Sequence, residues 1–249
     1  MYHLVIPARF GSTRLPGKAL ADIHGHPMVW WVWQRACQSG AASVIVATDH
    51  AEIAAIMRDA GAEVALTRED HPSGTDRLAE VADQRGWSDD TVVVNLQGDE
   101  PLMPVINLEQ VAGELVAHPE ASIATLSEPI CSLADFSNPA VVKVVASKGG
   151  KALYFSRALV PFPRGGAEAS EELLLATARR HVGLYAYRCG FLREFVRWSP
   201  APMEQLESLE QLRAMHHDRI IRVLPALEPV PAGVDTPEDL ENIRQLMGS

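Results

Sequence analysis

The chain has 249 residues, enough to bury one full core, and at 47% hydrophobic and 22% charged it has the make-up of a globular protein. Its formal net charge of −10 opposes the phosphates of nucleic acids and the surface of anionic membranes, so neither is an expected partner. Cys37, Cys131 and Cys189 are too widely spaced for a disulfide framework and contain no CxxC pair to hold structural zinc.

The opening run Met1 to Ile6 ends at Pro7, too soon for a signal sequence or a membrane span, and a cytoplasmic location is expected. Short β-branched runs then recur at His3–Ile6, Ser43–Ala47, Glu63–Leu66, Val92–Leu96 and Ser122–Leu126. Between them, Met28–Gln38, Ala51–Ala60, Arg77–Arg85 and Leu108–Ala117 have helical length and apolar spacing. Strands alternating with helices predict an α/β fold, a mostly parallel sheet with helices on both faces. Beyond Pro139 the runs Val141–Ala146, Leu153–Ser156 and His181–Arg188 predict hairpins or a mixed sheet edge, hence a smaller lobe. Gly165–Ala178 reads as a loop or a helix of undefined extent. Glu204–Met215 places Leu206, Leu209, Leu212 and Met215 at every third position, which predicts one helix turning a single apolar stripe to the core.

Chemistry gathers where strands end. The segment Pro7-Ala-Arg9-Phe-Gly11-Ser-Thr-Arg14-Leu-Pro-Gly17-Lys18 leaves the carboxyl end of the first strand, where open α/β sheets bind ligands. Residues 1 to 21 hold Arg9, Arg14 and Lys18 with no carboxylate before Asp22, a local cation cluster on an acidic chain that suits a small polyanion. It is not a Walker A loop, because Ala19 follows Lys18 where that motif needs a hydroxyl for magnesium. Thr48-Asp49-His50 and Gln97-Gly98-Asp99-Glu100-Pro101 follow two further strands. Magnesium takes one or two carboxylates plus substrate phosphates, so Asp99 is a metal candidate as well as a turn aspartate, with Glu100 behind it.

Two helix starts are ambiguous. In Gly233-Val-Asp235-Thr236-Pro237-Glu238-Asp239, Thr236 as N-cap and Pro237 at the first helical position explain most residues as capping. They leave Asp235 free to be a second metal ligand. In Ser73-Gly74-Thr75-Asp76-Arg77 a hydroxyl can cap the helix, yet helix N-termini also offer donors to ligands. His50, His71, His216 and His217 form no HExxH pair, and no GxSxG elbow is present.

Taken together, Ile6-Pro-Ala-Arg9-Phe-Gly-Ser-Thr-Arg14-Leu-Pro-Gly-Lys18, Ala47-Thr-Asp49-His50, Ser73-Gly-Thr-Asp-Arg77 and Val94-Asn-Leu-Gln97-Gly-Asp99-Glu-Pro101 resemble the 3-deoxy-manno-octulosonate (Kdo) cytidylyltransferases, the CMP-Kdo synthetases. The resemblance runs along nearly the whole chain. Val142-Lys143-Val144, Ala152-Leu-Tyr-Phe-Ser156-Arg157, His181-Val-Gly-Leu-Tyr185-Ala-Tyr187-Arg188, Leu209-Glu210-Gln211-Leu-Arg213 and Gly233-Val-Asp235 favour Kdo over sialic acid as the acceptor. Phe10 and Gly11 stand where the family often carries Tyr and Ala.

The resemblance implies a Rossmann-like nucleotide-binding core over roughly 1–135 and 200–249, with a sugar-binding and dimerising lobe over roughly 136–199. It implies CTP and Kdo as substrates, magnesium as cofactor, a homodimer, and a cytoplasmic step that supplies lipopolysaccharide synthesis. Arg9, Arg14 and Lys18 would hold the triphosphate, and Ser73, Gly74, Thr75 and Gln97 would line the nucleotide or sugar site. Asp99 and Asp235 would hold the metal, while Arg157, Arg164, His181, Tyr185, Glu210 and Gln211 would face the sugar. Lys18, Arg14, Asp99 and Asp235 are the expected catalytic set. A different acid-sugar acceptor, or a nucleotide sensor without turnover, remains an alternative at this stage.

Overall fold

The structure is a computed structural model describing residues 1–11, 15–166 and 171–248. The first half alternates β1 (Tyr2–Pro7), a small hairpin β2 (Asp22–Ile23) and β3 (His26–Pro27), α1 (Met28–Ala36), β4 (Val44–Thr48), α2 (Ala51–Asp59), β5 (Glu63–Leu66), α3 (Gly74–Gln84), β6 (Val92–Asn95), α4 (Val105–Ala117) and β7 (Ile123–Pro129). The second half carries α5 (Leu133–Ser137), β8 (Lys143–Ala146), β9 (Ala152–Ser156), α6 (Glu171–Thr177), β10 (Arg179–Arg188), α7 (Cys189–Phe195), α8 (Pro202–Glu207), α9 (Gln211–His216), β11 (Ile221–Pro225) and α10 (Pro237–Met247).

The main sheet runs β11-β7-β10-β6-β1-β4-β5. All its neighbouring pairs are parallel except those of β10, which lies antiparallel to both β6 and β7. Leu4, Val5 and Ile6 are each fully buried, so β1 is covered on both faces, as its unbroken apolar run requires. One face packs residues of α1, α2 and α4, among them Val32, Met57 and Leu108, and the other packs α3, α7 and α9 through Leu78, Leu192 and Leu212. The chain passes from β1 through β4 to β5 on one side, then returns through α3 to place β6 on the other side of β1. The reversal leaves a crevice at the carboxyl ends of β1 and β6.

The stretch expected to form the smaller lobe divides. The β8–β9 hairpin branches off β10, and α5 and α6 share a small core of Ile130, Phe136, Leu174 and Ala178. β10 itself runs through the middle of the main sheet, and α7 packs on α3. Lys143 pins the hairpin base: it is fully buried, and its Nζ donates to the carbonyls of Asn138, Val141 and Arg157 at 3.0, 2.7 and 2.8 Å. The Gly165–Ala178 stretch contains the helix α6, while its residues 167–170 fall outside the described part.

Glu204–Met215 is not the single helix its spacing predicts. Ser208 adopts a left-handed φ of 50°, which ends α8 before α9 begins. A strict every-third-residue stripe also drifts around a 3.6-residue helix. Leu209 and Leu212 are buried, but Leu206 is 87% exposed and is not core. No helix among the described residues is long and apolar enough to cross a membrane.

Candidate active site

The loop after β1 returns to the sheet through Gly17, whose φ of 66° places it in the left-handed region that glycine tolerates best. Lys18 opens the short 3-10 turn that follows. Its Nζ donates to Asp99 Oδ2 and, at 3.0 Å, to Asp235 Oδ1. Burial alone would lower the ammonium's pKa. Its hydrogen bonds to and attraction by Asp99 and Asp235 outweigh that effect and raise it above the ordinary 10.5, so Lys18 stays charged.

Two loops bring those carboxylates together. Gly98 sits so close to β1 that a Cβ there would lie 2.8 Å from the Pro7 carbonyl oxygen, which explains the glycine in the β6 turn. Val234 N donates to Asp99 O at 2.9 Å and ties the 233–235 loop to that turn. Thr236 and Asp239 form the expected capping box, with Asp239 Oδ2 also accepting from Asp235 N at 3.1 Å. Capping therefore orients the backbone of Asp235 while its carboxylate turns to Lys18.

Glu100 is different. Its Oε2 is buried without a hydrogen-bond partner, and burial, then the neighbouring Asp99 charge, pushes its carboxyl up to about 8. It is mostly protonated at neutral pH, and the negative charge beside Lys18 belongs to Asp99 and Asp235.

A hollow of about 300 Å³ opens over this cluster, lined by Arg9, Gly11, Lys18, Gln97, Gly98, Asp99 and Asp235 among others. It shares Pro7, Arg9 and Gln97 with a second hollow of about 180 Å³ against Ser73, Gly74 and Arg77. That one shares Pro72 and Ser73 with a third of about 320 Å³, lined by Glu204, Ser208, Glu210 and Arg213. Through these shared lining residues the three hollows adjoin as a trough from the cation cluster to the start of α9. Its walls are braced: Arg77 donates to Asp49 Oδ2 at 2.6 Å and to Thr67, and Phe10 stacks on His50 at 4.2 Å between centroids. Sequence reading missed both braces, since neither a buried arginine nor a ring stack has a short-range signature.

Most expected site residues lie in or beside this trough. Arg9, Lys18, Gln97, Asp99 and Asp235 share the first hollow, Ser73 and Gly74 the second, and Glu210 the third. Arg14 lies outside the described residues. Ser73 also caps α3, its Oγ accepting from the amides of Thr75 and Asp76 at 3.2 and 3.4 Å, so both readings of that serine stand together. Thr75 is 3% exposed and gives its hydroxyl to Glu210 Oε2 at 2.5 Å, not to the nucleotide side.

The sugar-side residues differ among themselves. Arg157 serves as a brace: Nε, Nη1 and Nη2 donate to the carbonyls of Glu207, Pro139 and Ser208 at 2.6, 3.0 and 3.4 Å. Those bonds hold α8 to the hairpin. Arg164 is exposed. His181 Nε2 lies 3.0 Å from Thr125 Oγ1, whose own proton goes to the Val182 or Leu184 carbonyl. Nε2 therefore carries the ring proton and Nδ1 is an acceptor. Burial, then the charge of Arg180, lowers the His181 pKa to about 3 and keeps the ring neutral. Burial and the Glu210 charge raise the Tyr185 phenol, which remains a donor. Gln211 is buried and its Nε2 has no partner, a donor set aside beside Glu210.

The site fits a hard cation at the point where Asp99 and Asp235 meet, since that point already draws an ammonium to both carboxylates. Among the described residues no three His, Cys, Asp or Glu side chains cluster to hold a metal alone. Substrate phosphates would complete the coordination of a magnesium ion there.

The chain is similar to known proteins along nearly its whole length. The cytidylyltransferase family model matches residues 3–221. A 3-deoxy-manno-octulosonate cytidylyltransferase of Pseudomonas syringae pv. syringae is 54% identical over 248 residues, 99% of this chain and 98% of the relative. One from Chromohalobacter salexigens is 56% identical over 245 residues, covering 98% and 95%. Among solved structures, a CMP:2-keto-3-deoxy-manno-octonic acid synthetase complexed with CTP superposes with a TM-score of 0.90 at 42% identity, covering 99% of this chain and 98% of that one.

Proposed function

Because the chain belongs to the cytidylyltransferase family, among the 3-deoxy-manno-octulosonate cytidylyltransferases, we propose that it transfers CMP from CTP to the anomeric hydroxyl of Kdo and releases pyrophosphate. The observation that carries this reading is the meeting of Asp99 and Asp235 on one cationic point in a trough that continues to Glu210.

The reaction is an in-line displacement: the anomeric oxygen attacks the α-phosphorus while the bond to pyrophosphate breaks on the opposite side. Little covalent work falls to the protein, and positioning with charge neutralisation supplies most of the acceleration. Arg9 and Lys18, with Arg14 from the same loop, receive the charge that grows on pyrophosphate. Ser73, Gly74 and Gln97 line the middle of the trough, where the nucleoside joins the triphosphate to the acceptor. Glu210 and His181 Nδ1 accept from sugar hydroxyls, Tyr185 and Gln211 donate, and the exposed Arg164 offers a cation to the Kdo carboxylate.

Asp99 and Asp235 would hold magnesium. When bound, that ion lowers the pKa of the sugar hydroxyl and stabilises the phosphoryl oxygens. We further read the protein as a homodimer acting in the cytoplasm to supply activated Kdo for lipopolysaccharide.

Phosphorus NMR of the protein with CTP, magnesium and Kdo tests the reading. The expected spectrum gains free pyrophosphate and one phosphodiester resonance at the expense of CTP, and a chelator stops both. A spectrum in which CTP persists, or loses only its γ-phosphate, rejects it.

A further inference from the structure

Glu210 stands at the start of α9 with its carboxylate held from below. Thr75, in the first turn of α3, donates its hydroxyl to Glu210 Oε2 at 2.5 Å across 135 residues of chain. Thr75 is 3% exposed and lines none of the three hollows; its hydroxyl meets the trough through Glu210, while its amide donates to Ser73 Oγ.

Behind Thr75 lies Tyr187 of the central strand β10, 5% exposed, its phenol kept protonated by burial. The direction of the bond from Thr75 follows from chemistry. A carboxylate only accepts, so the Thr75 proton points to Glu210.

We propose that Thr75 is a positioning residue for the sugar side of the site: its buried hydroxyl fixes the Glu210 carboxylate as the acceptor for a hydroxyl of the acid sugar. The proposal rests on the Kdo reading for the identity of that sugar. It assigns Thr75 to the acceptor, although it sits in the segment that otherwise meets the nucleotide, and it links α3 to α9. The Thr75 hydroxyl is buried and its proton goes to the carboxylate, so Glu210 arrives already oriented.

Steady-state kinetics with magnesium, CTP and Kdo test it in Thr75 variants, one of them also in a Glu210→Gln background. Thr75→Val keeps the shape and removes the hydroxyl. It is expected to raise KM for Kdo about tenfold, as loss of a hydrogen bond to a charged group does, with KM for CTP changed less than about twofold. Thr75→Ser keeps the donor and is expected to restore most of the loss. In a Glu210→Gln background, Thr75→Val is expected to add little, because both changes remove one interaction. A parallel rise of both KM values, or full additivity with Glu210→Gln, overturns the proposal.

Amide hydrogen exchange over 208–213 reads the tether without substrate: faster in Thr75→Val, unchanged in Thr75→Ser. If the wild-type protein does not turn over Kdo, the functional reading fails by itself. Exchange then decides the tether, and an unaltered rate in Thr75→Val overturns it.

Discussion

Asp99 and Asp235 come from loops on different elements and meet at Lys18, so each of the three charges is partly neutralised by the others. Asp99→Asn keeps the size of the side chain and removes half of that negative pair. The variant is expected to fold normally, as circular dichroism and thermal unfolding will check, and to lose turnover by about a thousandfold or more. Substantial activity in the folded variant would reject Asp99 as an essential ligand.

His181 offers a second test at this scale. Its folded pKa of about 3 lies below the ordinary 6.5, so between these values the unfolded chain binds a proton that the folded one refuses. The stability this contributes is complete above pH 6.5 and is lost as pH falls towards 3, at a rate approaching about 1.4 kcal/mol per pH unit. Urea midpoints measured from pH 7.5 to 4.5 are expected to fall less steeply in His181→Gln than in the wild type. Equal slopes would contradict the placement of a neutral ring.

At the residue scale, Asp99 stood out as a carboxylate at a strand end, with a turn aspartate as the other reading, and the structure brings it to Lys18. Asp235 was legible because Thr236 and Pro237 already accounted for the helix start. Thr75 was not. Its partner is distant in sequence, and the same hydroxyl could have capped α3, the task the structure gives to Ser73.

Among the elements, the paired helices after residue 200 show what periodicity can and cannot decide. Four apolar residues at a spacing of three predict one stripe, but Ser208 breaks the helix and turns Leu206 into solvent. Leu212→Ala is expected to cost about 2–5 kcal/mol and Leu206→Ala less than about 0.5 kcal/mol, measured as shifts in urea midpoint. Similar losses would restore the single-stripe reading. Arg213 joins the pieces, donating to both carboxylate oxygens of Glu204, at 2.9 and 2.5 Å. The pair is nearly buried, and sequence gives no sign of it because Arg213 reads as an ordinary surface position. β11 was missed for another reason: its run is short and follows the polar stretch His216 to Arg219, and only its pairing with β7 makes it a strand.

On the scale of the molecule, the alternation of the first half fixes the parallel sheet, because strands and helices of that length leave one economical way to cover both faces. The same logic does not reach β10. A long polar-apolar strand reads as a lobe element, whereas its register against β6 and β7 inserts it, antiparallel, into the centre of the sheet. That insertion sets Tyr185 and Tyr187 opposite Asn95 and Val93 of β6. The proposed dimer is checked by sedimentation: a mass of about 54 kDa is expected, twice the 27.1 kDa of the chain, and a concentration-independent monomer would refute it.

The central claim is that one trough carries CTP at the Lys18 end and Kdo at the Glu210 end. It is tested most directly by the rate of pyrophosphate release with magnesium and CTP in three mixtures, containing Kdo, sialic acid or no sugar. Release that requires Kdo is the expected result. Equal release with sialic acid or without any sugar would contradict it.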